Sequence, residues 1–173
     1  MLYLSESIIN KPIMSLRTGQ EIGQTINPLI NPNNLSILGF YSKNKHSNKL
    51  AILLYQDIRE FSKAGFIVND HDSLSDPADL VRINKIIQLN FYLIGKPVIT
   101  VSKEKIGKVN NYAVEMNLMS IIKLYVSQPL IKSLSGGNLS VDRSQIEEVT
   151  DRKIIIKDLL ATNPITASAF SIG

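Results

Sequence analysis

One stretch of sequence occurs twice in this chain, and the repeat constrains the fold more than any other feature. Residues 11–24 and residues 96–108 each open with Lys-Pro, continue through an apolar run and a polar turn, and reach Ile-Gly near their ends. One pattern repeated with little sequence identity indicates two copies of one structural unit. With Gly23 aligned to Gly107, later segments also match: residues 36–41 with 120–125, and residues 57–70 with 145–158.

Short apolar runs rich in Ile, Val, Leu and Tyr recur in both copies between turn residues, a pattern typical of β-strands. Lys-Pro opens the first strand of each copy, where the missing N–H of proline does the least harm. Gly23 and Gly107 follow a polar turn, so we expect a β-bulge or a positive φ at both positions. Residues 62–65 and 150–153 each predict the turn of a hairpin.

The residues between the two copies have a different pattern. Asp76 precedes Pro77, a combination that predicts the N-terminus of a helix. Leu80, Ile83 and Ile87 then fall on one helical face, which predicts packing of that face against a barrel. We therefore expect a linker helix between the copies.

These patterns predict an all-β fold: two tandem small antiparallel β-barrels joined by a short α-helix. Closely spaced strands without helices between them favour closed barrels over a parallel sheet. The predicted organisation is a first barrel domain over residues 1–75, the linker helix over 76–90, a second barrel domain over 91–160 and a flexible tail over 161–173.

Composition limits the chemistry and the location that we expect. The chain has no Cys, which excludes disulfides, thiolate catalysis and zinc–thiolate sites. Residues 1–10 lack the pattern of a secretory signal, and the one long uncharged stretch, residues 22–42, is interrupted by prolines and asparagines. We therefore expect a cytoplasmic protein without membrane insertion.

A basic turn distinguishes the second copy from the first. Lys96, Lys103, Lys105 and Lys108 lie close together in the half that carries most of the net charge of +4. Ammonium groups on a turn can contact phosphates, so these lysines are candidate contacts for nucleic acid or an acidic partner. Glu104 interrupts the cluster and no aromatic stacking residue accompanies it, which favours a solvated turn as the alternative.

The other polar clusters predict no catalytic, cofactor or metal site. His46 lies in a polar loop. His71 follows Asp70 in a segment that begins like a calcium loop but lacks a later oxygen ligand and the glycine, so a hairpin exit followed by a helix cap explains its acids better. Glu147 and Glu148 are adjacent, and on a strand they would point to opposite faces.

The repeat resembles the PRC-barrel domain. In that family a strand ending near a polar turn is followed by a hydrophobic-Gly pair and a long hairpin, and a segment similar to residues 144–149 leads to the final strand. The resemblance covers about residues 8–70 and 93–158. It implies a compact barrel of roughly six antiparallel strands in each copy. Family members include the cytoplasmic part of the photosynthetic reaction-centre H subunit and the C-terminal domain of the ribosome maturation factor RimM, which have protein-docking roles, and the family shares no catalytic residues.

The leading functional interpretation is a non-catalytic adaptor or assembly module. Its barrels would present exposed edges, loops or the groove between them to an unidentified protein partner. Phe170 and Ile172 are candidate anchors for docking of the tail on a partner. The alternative is an RNA- or ribosome-associated maturation factor that uses the basic second barrel. No cofactor is expected, and the oligomeric state stays open.

Overall fold

The structure, a computed structural model, describes residues 1–128 and 138–158. These residues form one large mixed β-sheet and one short α-helix. The strands are β1 (Leu2–Leu4), β2 (Pro12–Ser15), β3 (Glu21–Asn31), β4 (Ser36–Asn44), β5 (Leu50–Leu54), β6 (Ile58–Ser62), β7 (Gly65–Val68), β8 (Leu74–Ser75), β9 (Pro97–Thr100), β10 (Lys105–Glu115), β11 (Ser120–Ser127), β12 (Asn138–Asp142), β13 (Ile146–Val149) and β14 (Ile154–Ile156). The helix is α1 (Asn84–Leu89).

The two halves of the sheet have the same strand order, as the repeat predicts. The order is β6-β7-β2-β3-β4 in the first half and β13-β14-β9-β10-β11 in the second. β-Bulges interrupt the equivalent ladders β2–β3 and β9–β10 beside Gly23 and Gly107. Neither glycine has a positive φ, so of the two expected reasons for glycine the bulge is the correct one.

The all-β class is confirmed, but the strands do not close into two antiparallel barrels. The sheet is open, and it contains two parallel pairs, β2 with β7 and β9 with β14. β7 and β14 thus return beside β2 and β9 in the same direction. Within the described ranges, β6 and β13 are the two ends of the main path of paired strands.

The linker is less helical than predicted. Asp76 does cap a turn, because its carboxylate accepts a hydrogen bond from the backbone N–H of Ala78 at 2.9 Å. That turn is a 3-10 helix, however, and Leu80, with φ −89° and ψ 59°, interrupts the helical conformation. Only six residues, Asn84–Leu89, form an α-helix, and a helix this short is marginal without tertiary packing. Leu80, Ile83 and Ile87 are half-buried.

The halves meet through equivalent residues. Ser36 of β4 pairs with Ser120 of β11. Beside this pair, the N–H of Ile37 donates to the carbonyl of Met119 at 2.7 Å, and the N–H of Ile121 donates to the carbonyl of Leu35 at 3.0 Å. The contact is therefore locally two-fold, as in an isologous dimer. Both acceptors, Leu35 and Met119, have a positive φ, at 53° and 45°.

The hydrophobic core runs through both halves without a break. Buried Ile13, Phe40 and Phe66 of the first half belong to the same cluster as buried Val98 and Leu124 of the second. β1, at the start of the chain, also crosses to the second half and pairs with β10. The two copies are thus packed together within the described residues.

Candidate functional site

The best candidate site is a groove of about 540 Å³ at the contact between the halves, which we name the junction groove. On one side are residues at the start of the chain, on the other is β6, and the turn between β10 and β11 closes one end. The lining residues are Met1, Tyr3, Tyr55, Ile58, Arg59, Glu60, Phe61, Met116, Asn117 and Met119. Three are methionines and three are aromatic, while Arg59, Glu60 and Asn117 are polar, so the lining is mixed in character. The methionines make the groove adaptable in shape.

Aromatic contacts join the two sides of the junction groove to the core. The rings of Tyr3 and Phe61 meet edge to face, with centroids 4.8 Å apart. Phe61 in turn lies 4.5 Å from the ring of fully buried Phe66. Above this base, residues Met1 and Tyr55 are 72% and 51% exposed. The groove therefore has an anchored base and a solvent-accessible rim.

Both strands that border the junction groove have an unpaired edge. β6 pairs with β7 alone, and β1 pairs with β10 alone, within the part of the chain that the structure describes. A bulge between Ile58 and Glu60 bends β6. Arg59 is held at the bulge because its Nε donates to Asn69 Oδ1 at 2.8 Å. Partial burial raises the pKa of the neighbouring Asp57 carboxyl, and the charge of Arg59 opposes that rise.

The second half has a groove at the equivalent place, of about 390 Å³, which we name the equivalent groove. Arg143 is the equivalent of Tyr55 in this groove. Tyr55 is the first residue of the 3-10 turn before β6, and Arg143 is the first residue of the 3-10 turn before β13. The guanidinium of Arg143 donates to the carbonyl of Asn34 and the hydroxyl of Ser120. The equivalent groove is lined mainly by polar residues: Pro32, Asn33, Asn34, Leu35, Arg143, Ile146, Glu147, Glu148 and Val149.

No family model matches the chain, and neither does any curated protein.

Lys96, one of the predicted contact residues, is held within the second half. Its ammonium donates to the backbone carbonyl of Asp151 at 2.5 Å and lies 4.4 Å from the centre of the Phe91 ring. Burial lowers the pKa of Lys96, and the charge of Asp151 opposes that fall. Lys11 makes the equivalent bond in the first half, to the carbonyl of Lys63 at 3.0 Å. Both lysines thus tie the first strand of their half to its last hairpin.

The other three predicted lysines are exposed. Lys103 has a φ of 69° in the turn before β10. Lys105 and Lys108 border a groove of about 550 Å³ that Pro97 and Ile99 also line. Of the predicted cluster, Lys96 is therefore partly buried, and the other three lysines are exposed.

The structure also places His46, His71 and Asp70, the residues of the other polar clusters. The rings of His46 and His71 meet edge to face with centroids 4.5 Å apart, a contact that their separation in the sequence does not indicate. Asp70 accepts a hydrogen bond from the N–H of Asp72 at 3.0 Å, in agreement with a capping role. Residues 1–128 and 138–158 contain no group of three or more metal-ligating side chains. Phe170 and Ile172 lie outside the described residues.

The junction groove itself was not predicted residue by residue. Its methionines and aromatics come from the chain start, from β6 and from the β10–β11 turn, and no sequence period connects these segments. The one available signal was the general expectation of a groove between the copies.

In the described ranges, no helix is both long enough and apolar enough to span a bilayer.

Proposed function

We propose that this chain is a non-catalytic protein-binding adaptor whose partner binds at the junction groove. The observation that carries this proposal is the groove's lining of three methionines and three aromatic residues at the contact between the halves. Aromatic residues, methionine and arginine are all enriched at protein interfaces, and all three kinds line this groove. The charged side chains in this lining are Arg59 and Glu60, which suit orientation of a partner better than acid–base chemistry at a buried centre.

We also propose that each half is related to the PRC-barrel domain, although its strands form part of an open sheet, and that the chain acts in the cytoplasm. The common strand order of the two halves and the bulges beside Gly23 and Gly107 support the first point. The absence of Cys from the sequence supports the second, because cytoplasmic proteins do not depend on disulfides. The docking roles of the PRC-barrel family agree with an adaptor.

Site-specific photo-crosslinking tests the adaptor proposal. A benzophenone amino acid at Tyr55 is expected to trap one discrete protein in extract of the source cells, and the same group at exposed Lys49 is expected to trap none. The trapped protein, once purified, must bind the chain saturably, and Phe61→Asp must weaken that binding by about tenfold or more. Equal labelling from both positions, or a catalytic turnover that groove variants abolish, would contradict the proposal.

RNA or ribosome binding is the second candidate function, and the exposure of Lys103, Lys105 and Lys108 favours it. Replacing all three by Glu is then expected to abolish binding to ribosomal particles, and the affinity of the unchanged chain must fall steeply with salt. Lys43, Lys49 and Lys63, also exposed but in the first half, provide a matched triple-Glu control that must retain binding. Absence of binding at low salt would exclude this candidate.

A further inference from the structure

We propose that the junction groove binds an extended peptide, which adds as a strand to the free edge of β6. This inference rests on the proposed adaptor function and names the form of the partner. The junction groove lies between residues of β1 and β6, two strands that each have one unpaired edge within the described ranges. A free strand edge presents a row of N–H and C=O groups, and an extended peptide is the occupant that satisfies such a row.

β1 already shows how this region accepts a short apolar strand. Leu2, Tyr3 and Leu4 pair with Glu115, Val114 and Ala113 of β10. Tyr3 directs its ring onto Phe61, whereas Leu2 and Leu4 are 55% and 37% exposed. A peptide in the junction groove would continue the interface that β1 makes between the halves, with side chains directed alternately inward and outward.

A peptide in this position would also connect β6 to β1. The hydrogen-bonded path runs from β6 through β7, β2, β3 and β4 to β11 and β10, and β1 pairs with β10. A strand between β6 and β1 would connect these ends. Since β6 has five residues, the bound segment needs about the same number.

Charges on β6 specify the peptide further. Arg59 and Glu60 are both exposed along the edge strand. Opposite charges on neighbouring strands stabilise a pair, so the peptide is expected to place an acid beside Arg59 and a base beside Glu60. Its remaining side chains are aliphatic or aromatic, to match the methionines and aromatic rings of the groove.

The equivalent groove is not expected to bind a second peptide. Arg143 replaces Tyr55 there and bridges from the second half to Asn34 of the first. No strand corresponding to β1 lines this groove, whose described lining residues come from 32–35 and 143–149. The expected stoichiometry is therefore one peptide per chain.

Selection of peptides from a phage-displayed random library against the full chain tests this inference. A selected peptide, synthesised with a fluorescent label, is expected to bind one per chain. Tyr55→Arg, which copies the residue of the equivalent groove and changes a side chain that is 51% exposed, is expected to weaken binding about tenfold or more. The control Glu148→Arg, an exposed position of the equivalent groove, should leave the affinity within about twofold.

N-methylation of alternate peptide amides separates strand addition from simple apolar contact. Methylation on the hydrogen-bonding side must abolish binding, and methylation on the other side must be tolerated. Equal binding by both methylated peptides, no selected peptide, or binding insensitive to Tyr55→Arg would overturn the inference. The adaptor proposal is judged separately by the crosslink from position 55, which persists if a folded protein uses the groove without adding a strand.

Discussion

At the scale of single residues, the two Lys-Pro lysines have the same structural role. Lys96 bonds to the Asp151 carbonyl and lies over Phe91, and Lys11 bonds to the Lys63 carbonyl. The Lys-Pro dipeptide therefore belongs to the scaffold of each half. This explains why it recurs in both copies although the basic turn after it does not.

Lys96→Ala is expected to destabilise the protein. The change removes a charge-assisted hydrogen bond and a cation–π contact, together worth about 1–2 kcal/mol at a partly exposed site. Lys108→Ala, at an exposed position of the same half, is the control and should change stability by less than about 0.5 kcal/mol. Urea denaturation of the two variants gives the comparison, and equal effects would contradict the structural role of Lys96.

Asp158 gives a prediction for the pH dependence of stability. The Oγ and N–H of Ser102 donate to its carboxylate at 2.7 and 3.1 Å, and these bonds hold the pKa of Asp158 below the ordinary value of 3.8. A carboxyl with a lowered pKa in the folded state stabilises the fold above 3.8, and this contribution is lost as the pH falls through the lowered value.

The stability difference between the unchanged protein and Asp158→Asn should therefore shrink as the solution is acidified. Thermal unfolding of both proteins from about pH 7 to about pH 2 measures it. A difference that stays constant over this range would show that the charge of Asp158 is not involved.

At the scale of the elements, the close approach at the bulges explains the two Ile-Gly pairs. A Cβ on Gly107 would lie 1.9 Å from the carbonyl oxygen of Ser127, and one on Gly23 would lie 2.7 Å from that of Lys43. Neither backbone oxygen can move without disturbing the ladder to which it belongs. Glycine is thus required here by space and not by a left-handed conformation.

Gly107→Ala is expected to cost about 3 kcal/mol or more, and Gly23→Ala somewhat less, because the first clash is closer. Gly19→Ala provides the control. The φ of Gly19 is 67° and no atom lies within 4 Å of the new Cβ, so the only cost is that of holding alanine in a left-handed conformation, about 1–2 kcal/mol. Chemical denaturation ranks the three variants. A cost for Gly107→Ala no greater than that for Gly19→Ala would contradict the close approach.

Much of the element order could be predicted from the sequence, because the same pattern of strands and turns occurs twice in it. The apolar runs around Gly23 and Gly107 indicate strands, and the glycines indicate the bulges. The parallel return of β7 beside β2 could not be predicted, since strand direction depends on contacts between segments far apart in the sequence. Asp76 and Pro77 did indicate a capped turn, but not that Leu80 would interrupt the helix.

At the scale of the whole molecule, the two-fold contact relates two grooves that have become chemically different. Tyr55 lies in the junction groove, whose lining is rich in methionine and aromatic residues, and Arg143 lies in the equivalent groove, whose lining is mainly polar. Sequence comparison of the copies aligns these two positions, but it does not show that each groove takes residues from both halves. The candidate site was for this reason predictable as a location between the copies and not as a set of residues.

Arg143→Ala is expected to weaken the contact between the halves. The change removes bonds to Asn34 and Ser120, for a loss of about 1–2 kcal/mol at an exposed site. Hydrogen exchange at the amides of Ile37 and Ile121 should rise, because these amides donate across the contact. Arg152→Ala, at an exposed turn, is the control. Unchanged protection of both amides would mean that Arg143 does not hold the halves together.

The pairing of β1 with β10 has a consequence for synthesis of the protein on the ribosome. Leu2 pairs with Glu115, so β1 leaves the ribosome long before its partner strand has been made. At about 5–20 residues per second, the delay is on the order of 10 s. Throughout that time Leu2, Tyr3 and Leu4 form an apolar segment without its partner strand, available to chaperones or to other nascent chains. The start of the chain is thus among the last parts that can reach its native position.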